Sequence, residues 1–295
     1  MNPYQVLNVG SLNLDYIYTL EHSQRLGETQ KAISRQVFAG GKGLNQSIAM
    51  ARAGLKVVHV GKTGTDGNLL RRTLEHAGVD TRYIMHGNGP SGHAVIQVDE
   101  ETGSNSIILY PGTNHQLSKS TVSHILSEFP PGTLLVLQNE TNDVPYIMQL
   151  ANQHNFRIAI NPSPCTEEVK NYPLELAEFL FLNEIEAEQL TGESDPDQAA
   201  NQLCRRYPNT TLLLTLGSRG ALYAKGEMRF YQKAIPAKVV DTTGAGDTFN
   251  SYFLASVLSG MSVEDAMMRA ARAAAITVSR HGSADAIPTT DEVDS

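Results

Sequence analysis

The residues with the most chemical potential lie late in the chain, in Val240-Asp-Thr-Thr-Gly-Ala-Gly-Asp-Thr-Phe249, which runs into an apolar stretch at 249–258. Gly244 and Gly246 let the backbone turn tightly and come close to a ligand. Asp247 then falls at the start of a helix, where unpaired N–H groups and the positive end of the dipole gather. Amides near Ala245, Gly246 and Asp247 make an anion site suited to a phosphoryl group. A plain helix cap also favours Asp. A cap alone needs neither the two glycines nor Asp241 upstream.

Two other glycine patterns fail on context. Gly87-Asn-Gly-Pro-Ser-Gly92 matches the dinucleotide fingerprint in letters, but a strand pattern follows it where a helix is required. It reads as a turn. Gly61-Lys-Thr63 resembles the end of a P-loop, yet Lys56 occupies the position of the required earlier glycine.

The chain has 295 residues and a formal net charge of -8, with 41% hydrophobic residues. An acidic balance argues against nucleic acid or an anionic membrane as the main partner. It leaves a phosphorylated ligand open, since such sites are local and built from amides. Cys165 and Cys204 lack metal-ligand or CxxC spacing, which points to a reducing, cytoplasmic setting. No basic leader followed by an apolar stretch opens the chain, and no apolar run approaches the roughly 18 residues of a membrane span. The Asn-x-Ser/Thr matches at Asn45, Asn139 and Asn209 are then chance.

Something must hold the late glycine turn in place. Apolar runs at 6–9, 57–60, 134–137, 158–160, 179–182 and 212–216 read as buried strands. Between them, helical patterns fall at about 42–53, 69–77, 144–154, 184–190 and 197–207, with two more at 247–258 and 263–278. Strand-then-helix order implies an α/β protein with a mostly parallel sheet covered on both faces. Segments 14–20 with 32–38, and 93–98 with 106–110, alternate with period two and lack following helices. They predict a small second sheet, a lid inserted at about 12–39 and 91–111 of one domain spanning 1–295. An exposed lid edge would need covering, so a homodimer through the lid is expected.

The late segment resembles the C-terminal signature of the ribokinase, or phosphofructokinase-B, family of carbohydrate kinases. Further blocks match that family in order: Gly10-Ser-Leu-Asn-Leu-Asp15, Gly40-Gly-Lys-Gly-Leu-Asn-Gln46, Asn161-Pro-Ser-Pro164, Asn183-Glu-Ile-Glu-Ala-Glu188 and Leu214-Thr-Leu-Gly-Ser-Arg-Gly220. The resemblance covers nearly the whole chain and implies a central parallel sheet with a β lid. It implies ATP-dependent phosphorylation of a sugar hydroxyl, with D-ribose to D-ribose 5-phosphate as the leading reaction.

The resemblance also implies roles. Asp247 would take the proton of the attacking hydroxyl, and the amides of Gly244, Ala245 and Gly246 would hold charge on the transferring phosphoryl. Asn13, Asp15, Gly41, Lys42, Asn45 and Glu140 would bind sugar, whose many hydroxyls suit carboxylates and amides. Asn183 and Glu186, on one helical face, would contact ATP phosphates and the water shell of Mg²⁺. Thr215, Gly217, Ser218 and Gly220 would form the nucleotide loop, with Ala271 and Arg272 near the adenine. A K⁺ activator would sit among Asp241, Thr243, Thr277, Arg280, Gly282 and Ala286. The nine histidines show no ligand spacing.

Two departures from the family stand out. The loop at Thr65-Asp66-Gly67 is short, and little chain follows Ile287-Pro288, so the family's closing helix would be mostly missing. Two alternatives remain: a nucleoside, deoxyribose or ketohexose kinase on the same scaffold, or a non-catalytic regulator binding sugar or nucleotide. A nucleoside kinase needs stacking surface for a base, for which Phe38 is the only obvious aromatic; a regulator should have lost Asp247 or its glycines.

Overall fold

Strands packed on both faces read as unbroken apolar runs, because every side chain must leave water. The run 134–137 behaves this way in the computed structural model, which describes residues 5–295, of Gln5 the backbone alone. The first four residues, part of the stretch read above as lacking a leader, lie outside the described residues. Leu134 and Val136 face one core, Leu135 and Leu137 the other, all at most 3% exposed.

The strands are β1 (Gln5–Val9), β2 (Asn13–Leu20), β3 (Ser34–Gly40), β4 (Lys56–Thr63), β5 (Asp80–His86), β6 (Gly92–Asp99), β7 (Asn105–Tyr110) and β8 (Leu134–Gln138). They continue as β9 (Arg157–Asn161), β10 (Phe179–Asn183), β11 (Thr211–Thr215), β12 (Ala221–Lys225) and β13 (Met228–Gln232). The helices are α1 (Lys42–Arg52), α2 (Asn68–His76), α3 (Lys119–Ser127), α4 (Val144–Gln153) and α5 (Glu184–Thr191). After these come α6 (Pro196–Arg206), α7 (Ala245–Leu258), α8 (Val263–Val278) and α9 (Thr290–Asp294).

Nine strands form the large sheet in the order β13-β12-β11-β10-β9-β8-β1-β4-β5. The strands β11 to β5 of that order run parallel, and β12 and β13 add an antiparallel edge. One core packs α1, α2, α7 and α8 on one face; the other packs α3 to α6 on the opposite face. The chain leaves β1 toward β4 on one side and later resumes at β8 on the other. The gap between β1 and β8 is therefore the switch point where ligands bind in such sheets, beyond the strand C-termini.

The small sheet has the order β3-β2-β6-β7, with β2 and β6 parallel. Both decoys resolve as their context implied. Residues 87–91 are a turn into β6, and Gly61-Lys-Thr63 is the end of β4 itself. The short loop after β4 has a packing role: Asp66 accepts from the amide and hydroxyl of Ser91 at 2.9 and 2.6 Å, fixing the start of β6.

Among the elements outside the apolar-run reading are β5, β13 and α3. β5 and β13 lie at the two edges of the large sheet and bury few residues, so neither carries an apolar run. α3 hides in a Ser/Thr-rich segment, although Ser118 caps it by accepting from the Thr121 amide. The chain's last described element is short, in keeping with a closing helix that is mostly missing. α9 is five residues long and tied down, with Arg269 paired to Asp294 and Arg280 to Glu292.

Candidate active site

The two helices that converge beyond β1 both start on glycines with positive φ and no side-chain cap. Gly41 (φ 94) precedes α1 and Gly244 (φ 76) precedes α7. A non-glycine residue would be strained at either position. Five other helices close their first turn with a Ser, Asn, Asp or Thr side chain. The first amides of α1 and α7 are thus left for other partners.

For α1 the partners come from elsewhere in the chain. Glu140 Oε2 accepts from the Lys42 amide at 3.1 Å, and Ser11 Oγ accepts from the Gly43 amide at 3.1 Å. Ser11 Oγ in turn donates to Glu140 at 2.5 Å. Glu140 is therefore a cap supplied in trans, half-buried between β8 and α1. The helix sits so close to the end of β1 that only glycines fit the contact. A Cβ on Gly43 would lie 2.3 Å from the Ser11 nitrogen and 2.5 Å from the Gly10 carbonyl carbon.

For α7 the amides after Ala245 remain open. Ala245 donates to Thr242 at 3.3 Å, and Thr248 makes the first helical bond to Gly244. The amides of Gly246 and Asp247 precede that bond and face the helix mouth. A Cβ on Gly246 would meet no protein atom within 4 Å, so open space stands beside them. The Asp247 side chain does not fold back to cap them. Its Oδ1 accepts from Gln46 Nε2 at 2.9 Å and its Oδ2 from Asn45 Nδ2 at 3.3 Å, both across from α1. That arrangement differs from an ordinary cap, in which the carboxylate would turn back onto the amides of its own helix.

The sugar-site candidates cluster beside it. Asn13 accepts from Asn114 Nδ2 at 2.7 Å, and Asn114 accepts from the Leu12 amide at 2.9 Å. Asp15 lies so close to Gly40 that a Cβ there would sit 2.0 Å from its Oδ2. Burial, with the neighbouring Glu140 charge, pushes the Asp15 carboxyl up to about 7. Burial likewise raises Glu140, against the pull of Lys42 and the hydrogen bonds it accepts. Burial alone would depress the Lys42 ammonium, but Asp247, Glu140 and Glu186 outweigh it and hold it above the ordinary lysine value. Asn45 Oδ1 is buried with no partner, an acceptor facing no protein donor.

The nucleotide candidates line the neighbouring strand ends. Asn183 and Thr215 are register partners where β10 and β11 finish. Asn183 and Glu186 form a reciprocal capping box at α5, each side chain accepting the other's amide at 2.8–2.9 Å. Gly217, Ser218 and Gly220 form the turn from β11 to β12, where a Gly220 Cβ would sit 2.0 Å from the Gln232 carbonyl. On α8, Ala271 is buried and Arg272 exposed.

The monovalent-cation candidates divide in two. Asp241 clasps two loops, accepting from the Thr243 amide at 2.9 Å and the Gly282 amide at 3.2 Å. Thr277 turns its hydroxyl into the α7–α8 contact, bonding Thr248 at 3.2 Å and Ala273 at 3.0 Å. The side chain of Arg280 points to Glu292, and Ala286 is buried. Ser11, Gln46, Asn114 and Gln138 were not singled out by sequence. Gln138 was detectable as a polar residue ending an apolar strand run, and Gln46 closes the Gly40-Gly-Lys block.

Comparison with known proteins extends this picture. The model of the pfkB family carbohydrate kinases matches residues 4–290. The chain is 33% identical to ribokinase of Haemophilus influenzae over 294 residues, covering 96% of this chain and 95% of that protein. It is 30% identical to deoxyribokinase of Salmonella typhi, covering 96% and 95%. A solved structure of Arabidopsis thaliana ribokinase complexed with ribose and ATP superposes with TM-score 0.86 at 30% identity, covering 99% of this chain and 98% of that one.

Proposed function

The chain belongs to the pfkB family of carbohydrate kinases, and from that premise we propose that it converts D-ribose and ATP to D-ribose 5-phosphate and ADP. One observation carries the reading. The Asp247 carboxylate is held by Asn45 and Gln46 at the mouth of α7, beside the open amides of its first turn. A sugar hydroxyl within reach of that carboxylate would give up its proton as its oxygen attacks the γ-phosphorus of ATP. The amides near Gly244, Ala245 and Gly246 would hold the charge on the moving phosphoryl. Lys42 adds a fixed positive charge that Asp247, Glu140 and Glu186 keep protonated. Asn13, Asp15, Gly41, Asn45 and Glu140 would take the sugar hydroxyls, and the unpartnered Asn45 Oδ1 suits a hydroxyl donor.

Asn183, Glu186, Thr215, Gly217, Ser218 and Gly220 would bind the nucleotide. Among the described residues no group of three or more His, Cys, Asp or Glu side chains could hold a metal ion. Asn183 and Glu186, whose Oε2 alone is taken by the Asn183 amide, would hold magnesium through its water shell. When bound it neutralises phosphate charge. Both Asp241 oxygens are already engaged by amides, so potassium, as an activator, would be held largely by carbonyls of the 241–243 and 277–286 loops. We read 1–295 as one kinase domain with the small sheet as its lid. Two free thiols and dependence on ATP favour a cytoplasmic enzyme, and no helix among the described residues is long and apolar enough to cross a membrane.

The test is ADP release with ATP, Mg²⁺ and K⁺ across ribose, deoxyribose, fructose, adenosine and pseudouridine. Ribose should turn over preferentially. Preference for deoxyribose or a nucleoside keeps the kinase and overturns ribose; no turnover from folded, ATP-binding protein favours a regulator. The same assay run across pH reads Asp15. Below about 7 this carboxyl is protonated and offers one donor; above it, two acceptor oxygens. The KM for sugar should thus fall as pH rises through about 7, and Asp15→Asn should erase that inflection. A pH-independent KM in the native enzyme would remove Asp15 from the sugar site.

The lid edge supports a homodimer. On β7, Ile107, Ile108, Leu109 and Tyr110 are 47–65% exposed, beside the half-exposed face of β6. Apolar edge strands of this kind are normally covered. Sedimentation at micromolar concentration should give a dimer, and Ile108→Lys should give monomer; a native monomer at that concentration rejects the assignment.

A further inference from the structure

We infer that Gln46 is a positioning residue for the transfer: braced by Gln138, it holds Asp247 Oδ1 and leaves Oδ2 to receive the proton of the attacking hydroxyl. This deepens the proposed reaction and rests on Asp247 being its base.

The polarity of each amide in this chain is fixed by its neighbours. A backbone carbonyl can only accept, and Gly43 O accepts from Asn8 Nδ2 at 2.8 Å. With its NH₂ committed there and to Ser47 Oγ at 2.7 Å, Asn8 presents Oδ1 to the other side. That oxygen accepts from Gln138 Nε2 at 3.0 Å, and the same NH₂ donates to Gln46 Oε1 at 2.7 Å. The Gln46 amide is therefore oriented with Nε2 outward, and it donates to Asp247 Oδ1 at 2.9 Å. Reversing any one amide in this chain would set oxygen against oxygen or NH₂ against NH₂. The far end carries no charge: Ser47 meets His59 Nδ1 at 2.8 Å, and burial pushes that imidazole down to about 4. Asn8, Ser47, His59 and Gln138 are all fully buried.

The result is an asymmetric carboxylate. Oδ1 takes the shorter, braced bond, while Oδ2 has the 3.3 Å bond from Asn45. Lys42 on α1 and Glu140 beyond β8, opposite in sign, both interact with the Asp247 charge. A neutral amide suits the position: it orients the carboxylate without cancelling the charge that makes it a base.

The test compares Gln46→Met, Gln46→Glu and Gln138→Met with the native enzyme and Asp247→Asn. Gln46→Met keeps side-chain length and removes the donor. It should lower kcat on the order of 10–100-fold, as loss of a supporting partner does elsewhere, with the KM for ATP unchanged. The acidic limb of the kcat profile should also move to higher pH, because the ionised carboxylate has lost a hydrogen bond. Gln46→Glu should move that limb further, by placing a second carboxyl against Asp247. Gln138→Met, which leaves Gln46 in place but unbraced, should shift it less in the same direction; it and Gln46→Glu decide the matter if Gln46→Met does not fold. Variants with lowered Tm but native kcat and a native acidic limb would overturn the inference and make the chain merely structural. If Asp247→Asn kept its activity, the base assignment would fall instead.

Discussion

Asp247→Asn should fold, bind ATP and sugar, and lose turnover by about 10²–10⁴-fold. The expectation follows from what the substitution keeps and removes. The amide has nearly the same shape, so the first turn of α7 and its open amides persist. It cannot take a proton, and one of its two terminal atoms becomes a donor facing Asn45 or Gln46, both of which donate there. The local pairing must then rearrange, so a modest fall in Tm accompanies the loss. Steady-state kinetics on the accepted sugar, with ATP binding by calorimetry and Tm as controls, read each part separately. A variant within tenfold of native kcat would show that the attacking hydroxyl loses its proton elsewhere, and the role of Asp247 would reduce to pairing α7 with α1.

The second large effect is a contrast between two glycines on the helices that meet at the site. At Gly43 an added methyl would lie 2.3 Å from a backbone nitrogen and 2.5 Å from a backbone carbon, neither able to swing away. Gly43→Ala must push α1 off the end of β1 by about 1 Å, an overpacking that costs roughly 1–3 kcal/mol or more. Because α1 carries Lys42, Asn45 and Gln46, a shift of about 1 Å also costs on the order of 10² in rate. At Gly246 the same methyl meets no protein atom within 4 Å and sits inside a helix, where Ala is favoured over Gly by roughly 0.5–1 kcal/mol. Gly246→Ala should keep or raise Tm. It should still lose activity, on the order of 10²-fold, since the methyl occupies the space beside the open amides. Thermal unfolding and kcat on both variants check this. An active Gly246→Ala enzyme would move the phosphoryl site away from the α7 mouth.

Features that depend on neighbours along the chain were legible from residue order. Apolar runs marked the buried strands of the parallel region because both faces of those strands are covered. Period-two alternation marked the small sheet, and Gly244-Ala-Gly-Asp247 marked a glycine-led helix start, since positive φ is a local property. The polar residues at 13, 15, 42, 45 and 140 came from resemblance, and their chemistry was plausible residue by residue.

Tertiary structure alone decided how those pieces meet. Gln46 and Asp247 are 201 positions apart, and Lys42 and Glu140 are 98 apart. Their pairing follows from the order β8-β1-β4 and from α1 packing on α7, which no local period encodes. The same holds for Glu140 as a cap supplied in trans and for Gln138, whose role is visible only once Asn8 and Gln46 lie on either side of it. The edge strands β5 and β13 stayed hidden because an edge buries little and so leaves little pattern to read. Local composition set which polar groups were available; chain crossing set which of them share a hydrogen-bond network, because a hydrogen bond depends on distance in space and not on separation in sequence.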